Sequence, residues 1–297
     1  MGLKILDAKK LELENEISNE YFYDFFETSD QWIRSRTGIE KRFYAEESAA
    51  EMAVSVAKKL KFDKDDIRLL IVPTFSARHP LPAVSCVIHQ ELKLSSDCLA
   101  FDINMACTGF IGALILAEKY LQQGEKAMII ATEKISSYLN FEDRTSAILF
   151  GDGCAGVIVE KNHKLWFSKQ NTFGDVEALK LNEEEKLSMK GKDIYRFAVN
   201  EVSKSINSLL KSAKIDVKDI ELALLHQANS RIIEQIALRL EMDLKKFPMN
   251  LNEQGNTSAA SIPILLSENM NRIKERDLVL FSAFGAGLTL CTVLMEW

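Results

Sequence analysis

The chain carries the same pattern twice. Residues Phe62–Val72 (FDKDDIRLLIV) and Ile215–Leu225 (IDVKDIELALL) align without a gap, and the second copy starts 153 residues after the first. Each copy follows a segment with helical spacing of its apolar residues, Ala49–Lys61 in one case and Val202–Lys214 in the other. Each ends in an apolar run that is typical of a buried strand. The repeat therefore predicts two halves with the same fold.

The later elements repeat in the same order. In each half a helix begins, near Cys107 or near Ser258, and two apolar strands follow it. These strands are Ala127–Ala131 and Ala155–Glu160 in the first half, and Leu278–Phe281 and Leu288–Glu296 in the second. Strands that alternate with helices indicate an α/β fold with largely parallel sheets. Coincidence is the alternative, because the local pattern is common, but agreement of four elements in order favours duplication.

A polar segment, Lys161–Asp193, separates the two copies. We assign residues 1–165 to the first half, and residues 166–297 to the connecting segment and the second half. Duplicated α/β halves are expected to pack against each other as similar layers. An active site is then expected where the halves meet.

The composition excludes several classes of protein. With 47% hydrophobic and 27% charged residues, the chain resembles a soluble globular protein. Its formal net charge of −6 argues against a protein that coats nucleic acid or an anionic membrane. No apolar run approaches the roughly 18 residues that a membrane span needs, and the first residues do not resemble an export signal. We therefore expect a cytoplasmic protein.

The cysteines and histidines do not indicate a metal site. The five cysteines form no CxxC pair, and the four histidines form no HxxxH or HExxH group. Four cysteines lie in apolar runs and are predicted to be small core residues with reduced thiols: Cys86, Cys98, Cys154 and Cys291. Only Cys107 has neighbours that indicate chemistry.

Cys107 lies in the segment Ala100–Gly112 (AFDINMACTGFIG), where a strand-like run ends and a helix rich in small residues begins. The unpaired N–H groups and the positive end of a helix stabilise a thiolate. The sequence therefore makes Cys107 a candidate nucleophile. A buried structural cysteine is the alternative.

His226 and Asn256 are the other candidates. His226 follows an apolar strand, and the carboxyl ends of strands are where α/β sheets place their ligands. Its imidazole could donate a hydrogen bond to a developing oxyanion. Asn256 lies in a glycine-bearing loop that enters a helix. The alternatives are a satisfied core histidine and a helix cap.

Seven segments together resemble β-ketoacyl-acyl-carrier-protein synthase III, of the thiolase superfamily, along nearly the whole chain. In order they are SDQWIRSRTGI (Ser29–Ile39), DINMACTGF (Asp102–Phe110), ATEKIS (Ala131–Ser136), DRTSAILFGDGCAG (Asp143–Gly156), HQANSRII (His226–Ile233), GNTSAASIP (Gly255–Pro263) and FGAGLT (Phe284–Thr289). The resemblance implies a duplicated αβαβα layered α/β fold, in agreement with the repeat. It also implies the decarboxylative condensation of an acyl-coenzyme A primer with malonyl-acyl-carrier protein, which initiates fatty acid biosynthesis, without a cofactor.

The resemblance implies catalytic roles for five residues. Cys107 matches the residue that accepts the acyl group, and His226 and Asn256 match the pair that binds the malonyl thioester carbonyl. Backbone N–H groups of Cys107 and Ala286 would hold the second oxyanion, and Phe284 matches an aromatic residue that keeps the site dry. Ala286 replaces the middle glycine of a family triplet, so it would be strained if that position requires a positive φ.

The resemblance also implies a binding site for coenzyme A. Trp32 and Arg144 resemble a pair that sandwiches the adenine, and Arg36 resembles a phosphate or pantetheine contact. Gly191 and Asn229 resemble residues of the tunnel that holds the pantetheine arm.

Two macromolecular partners follow from the same resemblance. The segment that matches the carrier-protein docking site consists of Gln227, Ala228, Asn229, Ser230 and Arg231. Arg231 would face the acidic helix of the carrier, with Arg196 and Arg239 as further members of the patch. Leu81 resembles a position that reaches into the acyl pocket of a partner subunit, so a homodimer is implied.

Two other activities are open at this point. One is a relative with the same three residues, such as a ketosynthase of secondary metabolism or a thioesterase. The other is a partner subunit without catalysis, against which the intact Cys107, His226 and Asn256 argue. The sequence does not indicate which primer is preferred.

Overall fold

The computed structural model describes all residues from Met1 to Trp297. Its strands, β1 to β13 in chain order, are Gly2–Lys10, Glu16–Ser18, Lys41–Phe43, Ile67–Pro73, Leu99–Ile103, Lys126–Glu133, Gly153–Asn162, Trp166–Thr172, Leu179–Leu181, Leu187–Met189, Ile220–Leu225, Leu278–Gly285 and Thr289–Glu296. Its α-helices, α1 to α10, are Asp30–Thr37, Ala49–Lys59, Val84–Leu92, Gly109–Tyr120, Arg144–Ala147, Gly191–Phe197, Ser203–Ala213, Ser230–Arg239, Leu251–Gln254 and Ser261–Asn269. None of these helices is long and apolar enough to span a bilayer.

Five strands form the first large sheet, in the order β1-β7-β6-β4-β5. Strand β4 runs parallel to both β5 and β6, whereas β7 runs antiparallel to β6 and to β1. Its central strands are continuous apolar runs because both faces are covered. Leu69 and Ile71 of β4 face one layer of the core, and Leu70 and Val72 face the other.

The second large sheet has the order β11-β12-β13-β8 and repeats four of the five strands of the first sheet. Strand β11 is parallel to β12, β12 is antiparallel to β13, and β13 is antiparallel to β8. These four strands therefore correspond in order and direction to β4, β6, β7 and β1. The predicted duplication is confirmed, and β5 is the one strand without a counterpart beside β11.

Helices α4 and α10 lie between the two sheets and pack against both. Both are apolar on nearly all sides, as a helix buried between two layers must be. Helices α2 and α3 cover the outer face of the first sheet, and α7 and α8 cover that of the second. The result is the predicted stack of five alternating layers, αβαβα.

The connecting segment has more structure than its polarity indicates. Strand β8 (WFSKQNT) is the edge of the second sheet, where half-exposed positions need few apolar side chains. The prediction that Cys86 is a core residue was wrong, because α3 buries Val84, Ser85 and Ile88 and leaves Cys86 exposed.

The ends of equivalent elements meet at the centre of the molecule. Short 3-10 turns, Ala106–Thr108 and Ser258–Ala260, lead into α4 and α10 and contact each other. The end of β12 contacts the first turn, and the end of β6 contacts the second. This junction contains the residues that the sequence singled out.

Candidate active site

Cys107 lies in the turn that begins the central helix α4 and is 7% exposed. The preceding residue, Ala106, has a φ of 44°, so the chain makes a sharp bend before the nucleophile. Gly285, at the end of β12, packs against the same turn, and a Cβ built on it would lie 3.0 Å from the Cys107 nitrogen. Both halves of the chain therefore fix the position of Cys107.

The thiol of Cys107 does not ionise as readily as the helix terminus alone predicted. Burial raises its pKa to about 12, and the charge of Glu133 adds to this rise. The nearby Ser258 hydroxyl and the backbone N–H of Cys107 lower the pKa, and the positive end of α4 acts in the same direction. The thiol is thus protonated at neutral pH before substrate enters.

His226 follows β11, and its backbone N–H continues the sheet by donating to Ser282 O at 2.9 Å. Its ring is 2% exposed, and its Nδ1 lies 2.7 Å from Ser261 Oγ. Burial lowers its pKa to about 3, so the ring is neutral at ordinary pH. If the Ser261 hydroxyl donates to Nδ1, the ring proton lies on Nε2, where it can be donated to a substrate oxygen.

Phe284 packs edge-on against the His226 ring, with centroids 5.4 Å apart. Phe284 is 5% exposed and lines the same cavity as His226 and Cys107. This position is the one expected of an aromatic residue that keeps water out of the site. Ser261, which orients the ring, was not singled out from the sequence. It lies inside the motif GNTSAASIP, where its side chain looks like one of several small helix-start residues.

Asn256 is held by its backbone on both sides. Its N–H donates to Leu149 O at 2.8 Å, and its carbonyl accepts from Gly151 N at 3.1 Å. The side-chain oxygen accepts the N–H of Ser258 at 2.9 Å. This turn fixes the amide and leaves its NH2 group as the unused donor. Asn256 is therefore a turn residue and a candidate donor together.

Cys107, His226 and Asn256 line one cavity of about 390 Å³ with mostly apolar walls. The cavity extends from Cys107 and Phe284 at its inner end to Trp32 at the surface. An elongated apolar cavity with a few polar groups at its end is typical of a substrate site. The structure thus brings together the three residues that the sequence singled out separately.

A second cavity of about 170 Å³ also borders Cys107. Its walls include Phe75, Phe150, Leu187, Ser258 and Ala286. The backbone of Ala286 does not have a positive φ, so the methyl group that replaces the expected glycine causes no strain.

The outer part of the large cavity contains the residues predicted to bind coenzyme A. Trp32, Arg36, Gly191 and Asn229 all line it. The guanidinium carbon of Arg144 lies 4.5 Å from the Trp32 ring centroid, and its Nη1 donates to Glu27 O at 2.8 Å. At this separation the two groups stack directly, so an adenine ring could enter between them only if Arg144 moved.

The predicted carrier-docking segment contributes fewer surface residues than expected. Gln227 is fully buried, because its side chain bonds Leu225 O at 2.8 Å and Asn250 N at 3.2 Å, so its predicted contact with a carrier was wrong. The Asn229 side chain caps α8 and donates to Arg36 O at 3.0 Å.

The remaining members of the segment differ in position. Ala228 lines the large cavity, and Ser230 packs against Gly38, where a Cβ would lie 2.6 Å from the Ser230 hydroxyl. Arg231 is exposed. It borders a groove of about 480 Å³ with Lys192, Arg196 and Arg239. Two residues, Gly191 and Tyr195, line both this groove and the large cavity.

Leu81 is 83% exposed. It lines neither the large cavity nor the smaller cavity of its own chain. Contact with the acyl pocket of its own subunit is therefore excluded in this conformation.

The family models and the relatives described next indicate one family. Residues 101–174 match the family model described as 3-oxoacyl-[acyl-carrier-protein] synthase III, and residues 210–297 match the model of its C-terminal part. The chain is 36% identical to β-ketoacyl-[acyl-carrier-protein] synthase III of Limosilactobacillus reuteri, over 95% of both chains. It is also 36% identical to that of Acholeplasma laidlawii, over 97% of this chain and 96% of the relative. The crystal structure of 3-oxoacyl-[acyl-carrier-protein] synthase III from Aquifex aeolicus superposes over 100% of both chains, with a TM-score of 0.95 and 32% identity.

Proposed function

Because the chain belongs to the 3-oxoacyl-acyl-carrier-protein synthase III family of condensing enzymes, we propose that Cys107, His226 and Asn256 divide its reaction between them. The enzyme is an acyltransferase of fatty acid biosynthesis. Cys107 takes the acyl group from coenzyme A in a first half-reaction. His226 and Asn256 then promote loss of CO2 from the malonyl group on the carrier.

The first half-reaction is a thioester exchange at Cys107. The sulfur attacks the carbonyl carbon of the acyl-coenzyme A, and the coenzyme A thiolate leaves. The oxyanion of the tetrahedral intermediate needs two donors, and the backbone N–H groups of Cys107 and Ala286 are proposed for this role. Contact between the end of β12 and the Cys107 turn supports this pairing, because it brings residues 285 and 286 against the nucleophile.

The second half-reaction forms an enolate from malonyl. Decarboxylation moves an electron pair onto the thioester oxygen, and a preorganised pair of donors stabilises that charge. His226 Nε2–H and the Asn256 NH2 group are such a pair. Each is fixed through its other end, His226 by Ser261 at 2.7 Å and Asn256 by Ser258 N at 2.9 Å. This arrangement of two fixed neutral donors beside a buried thiol carries the proposal.

The neutral state of His226 separates two mechanisms. A histidine whose pKa is lowered to about 3 is a weak proton acceptor. We assign Ser261 as the donor to Nδ1 of this ring, which leaves the proton of the neutral ring on Nε2. It therefore serves as a donor to the enolate and not as a general base for Cys107. The enolate carbon then attacks the acyl group on Cys107 and releases the product on the carrier.

The outer parts of the cavity fit the two thioester substrates. We place the adenine of coenzyme A at Trp32 and Arg144, and its phosphates or pantetheine at Arg36. The pantetheine arm runs past Gly191 and Asn229 toward Cys107. The cavity supports this assignment because Trp32, Arg36, Gly191, Asn229 and Cys107 all line it, and Arg144 lies against Trp32 at its outer end.

The basic groove is the proposed docking surface for the acyl carrier protein. Its four cations, Lys192, Arg196, Arg231 and Arg239, face one opening, and none of them forms an ion pair with an acidic residue. Positive potential at a tunnel entrance attracts an acidic partner and orients its prosthetic arm. Carrier and coenzyme A would use the same entrance in turn.

A homodimer is part of the proposal. Leu81 projects from its own chain with 83% of its surface exposed, as expected of a residue that contacts a partner's acyl pocket. Strand β5 is the free edge of the first sheet, and Leu99 on it is 45% exposed. An unpaired strand edge with an exposed apolar residue favours pairing with a second copy. We further propose that the enzyme works in the cytoplasm.

Mass spectrometry tests the proposed division of roles. The purified protein is mixed with acetyl-coenzyme A, digested, and mapped for the acyl group, and malonyl carrier is then added. We expect the label on Cys107 alone, followed by a product two carbons longer on the carrier. Release of free acid would indicate a thioesterase, and a label on Cys86 or Cys154 would contradict the assignment of the nucleophile.

A further inference from the structure

A buried carboxyl group close to Cys107 has no role in the reaction described so far. Glu133, the last residue of β6, is fully buried. All of its side-chain hydrogen bonds reach Oε2, from the hydroxyl of Ser76, from Phe75 N at 3.3 Å and from Thr74 Oγ1 at 3.4 Å. Its other oxygen, Oε1, has no hydrogen-bond partner. No nearby cation compensates its charge.

Ser258 lies between Glu133 and the nucleophile. Its hydroxyl is buried and makes no hydrogen bond. The turn that contains Ser258 packs against the Cys107 turn and against β6, the strand that ends at Glu133. The hydroxyl accordingly lowers the pKa of both Cys107 and Glu133. Ser258 and Cys107 also line the same small cavity. The backbone of Ser258 has a φ of 50°, a conformation that few residues other than glycine adopt without cost.

Two unpaired buried oxygens at one place call for an explanation, because buried polar groups in proteins are nearly always paired. The chemistry of Cys107 provides this explanation. The thiol proton must leave before or during attack on the thioester, so a buried acceptor is needed close to the sulfur. His226 is not available for that proton, because Ser261 occupies its Nδ1 and its pKa is far below neutral. The Ser258 hydroxyl and Glu133 Oε1 are available.

We propose that Glu133 receives the proton of Cys107 through the Ser258 hydroxyl during acyl transfer, and returns it when the sulfur is released. The inference rests on the proposed role of Cys107 as the residue that accepts the acyl group. Glu133 touches no substrate atom in this scheme and acts through Ser258.

The proton that Cys107 loses in the first half-reaction returns to it in the second. In the first half-reaction the thiol proton moves to Ser258 Oγ while the hydroxyl proton moves to Glu133 Oε1. The new bond forms between the Cys107 sulfur and the acyl carbon, the bond from that carbon to coenzyme A breaks, and the coenzyme A thiolate takes a proton from solvent. In the second half-reaction the enolate displaces the Cys107 thiolate, which recovers its proton from Glu133 along the same path.

The surroundings of Glu133 make it suitable for this exchange. Burial raises its pKa to about 7, and the nearby donor groups of Ser76, Phe75 N, Ser258 and Ala259 N act against this rise. The titratable groups that feel its charge are Cys107, Cys154 and Tyr138.

The neighbouring ammonium group does not hold Glu133 in one state. The ammonium group of Lys134 donates hydrogen bonds to the carbonyl oxygens of Glu46 and Glu47, at 2.9 and 2.7 Å. Protonation of Glu133 also removes a negative charge that disfavours the Cys107 thiolate. Thiolate formation and carboxyl protonation therefore favour each other.

Rapid-quench measurement of Cys107 acylation by acetyl-coenzyme A, from about pH 5.5 to 9, tests the relay. In the unmodified enzyme the rate should rise with pH through about 7, because only the carboxylate form of Glu133 accepts a proton. Glu133→Gln should lower the rate at neutral pH by about 10²-fold and remove this rise. Ser258→Gly should do the same, and glycine suits the positive φ at this position, so loss of folding does not confound it.

Ser76→Ala supplies a readout that a purely structural role would not give. It removes a hydrogen bond that lowers the pKa of Glu133, so the rise in rate should move to higher pH and still reach the unmodified rate. Acylation of Glu133→Gln at the normal rate, or faster, would overturn the relay, and a faster rate would mean that the charge only opposes the thiolate. If the acyl group maps to another residue in the unmodified enzyme, the proposed function itself fails.

Discussion

Gly285 and Cys107 are so close that no side chain fits between them. A Cβ at position 285 would lie 3.0 Å from the Cys107 nitrogen and 3.2 Å from the Cys107 Cβ. The end of a strand in the second half therefore sets the backbone position of a nucleophile in the first half. Glycine is required here by close approach and not by backbone conformation, because its φ is not positive.

Gly285→Ala should therefore displace the nucleophile. We expect acylation of Cys107 to fall at least about tenfold, and the free energy of unfolding to fall by about 1–3 kcal/mol, as is typical of overpacking. Rapid-quench assays measure the acylation rate, and urea unfolding measures the free energy of unfolding. Ala286→Gly is the comparison variant: it keeps the backbone N–H that is proposed to hold the oxyanion and removes only a methyl group, so both effects should be smaller than those of Gly285→Ala. Normal acylation by Gly285→Ala would show that the turn can shift without cost.

His226→Ala and Asn256→Ala should separate the two half-reactions. Loss of one preorganised donor costs roughly 10²–10³ in rate, so decarboxylation of malonyl carrier should fall by that factor. Acylation of Cys107 should persist in both variants. Transfer of labelled acetyl groups and release of labelled CO2 are measured separately. If His226 were the base for Cys107, both rates would fall together, and normal decarboxylation by Asn256→Ala would contradict the donor pair.

The buried His226 should make the fold less stable in acid. Its pKa is lowered to about 3 in the folded protein, so between about pH 6.5 and 3 only the unfolded chain binds a proton at this site. The free energy of unfolding therefore decreases as pH falls through this range. His226→Gln should reduce that slope by up to about 1.4 kcal/mol per pH unit, measured by urea unfolding at a series of pH values. An unchanged slope would show that the ring is already protonated in the fold.

Arg144→Ala should weaken use of coenzyme A without changing the bond-making step. The guanidinium lies 4.5 Å from the Trp32 ring centroid and touches no reacting group. We expect the apparent KM for acetyl-coenzyme A to rise several-fold, while enzyme acylated in advance condenses at its normal rate. Arg34→Ala, on the same helix as Trp32 but paired with Asp30 and Glu40, is the matched control. Equal losses in both half-reactions would argue against the adenine site.

Substitutions in the basic groove should change the KM for malonyl carrier and leave the use of acetyl-coenzyme A unchanged. Arg231→Ala and Arg239→Ala should each raise the KM for malonyl carrier and weaken its dependence on salt, because exposed charges act through screened attraction. The KM for acetyl-coenzyme A should stay unchanged. Lys58→Ala, a surface cation on α2 paired with Glu91, is the control. A KM for the carrier that is insensitive to both arginine substitutions would place the docking surface elsewhere.

The sequence predicted the strands that consist of continuous runs of apolar residues and the helices whose apolar residues recur at helical spacing. Strands β4, β6, β11 and β12 lie where the repeat placed them, because burial on both faces leaves little choice of residue. Cys107 and His226 converge because they follow the carboxyl ends of β5 and β11, and Asn256 joins them because it precedes α10, the counterpart of the helix that begins after Cys107. Strand β8 was missed, since a polar edge strand has no such pattern.

Two features of the site depend on contacts that no local pattern reveals. Gln227 looks like a surface residue, and only its bonds to Leu225 and Asn250 show that it is buried. Glu133 follows an apolar strand and precedes a lysine, so it reads as the exposed end of that strand. It is buried where β6 meets the Ser258 turn, and its strongest hydrogen bond comes from Ser76, which lies far from it in the sequence.

The shared layer between the sheets ties catalysis to complete folding. Helices α4 and α10 bury their apolar sides against both sheets at once, so each half on its own would leave one side of its central helix in water. The nucleophile begins α4, and the donor pair belongs to the other half. A partly folded chain with only one sheet in place therefore holds either an acyl acceptor or a decarboxylating pair, never both. Appearance of condensing activity during refolding should coincide with the last packing step and serve as its reporter.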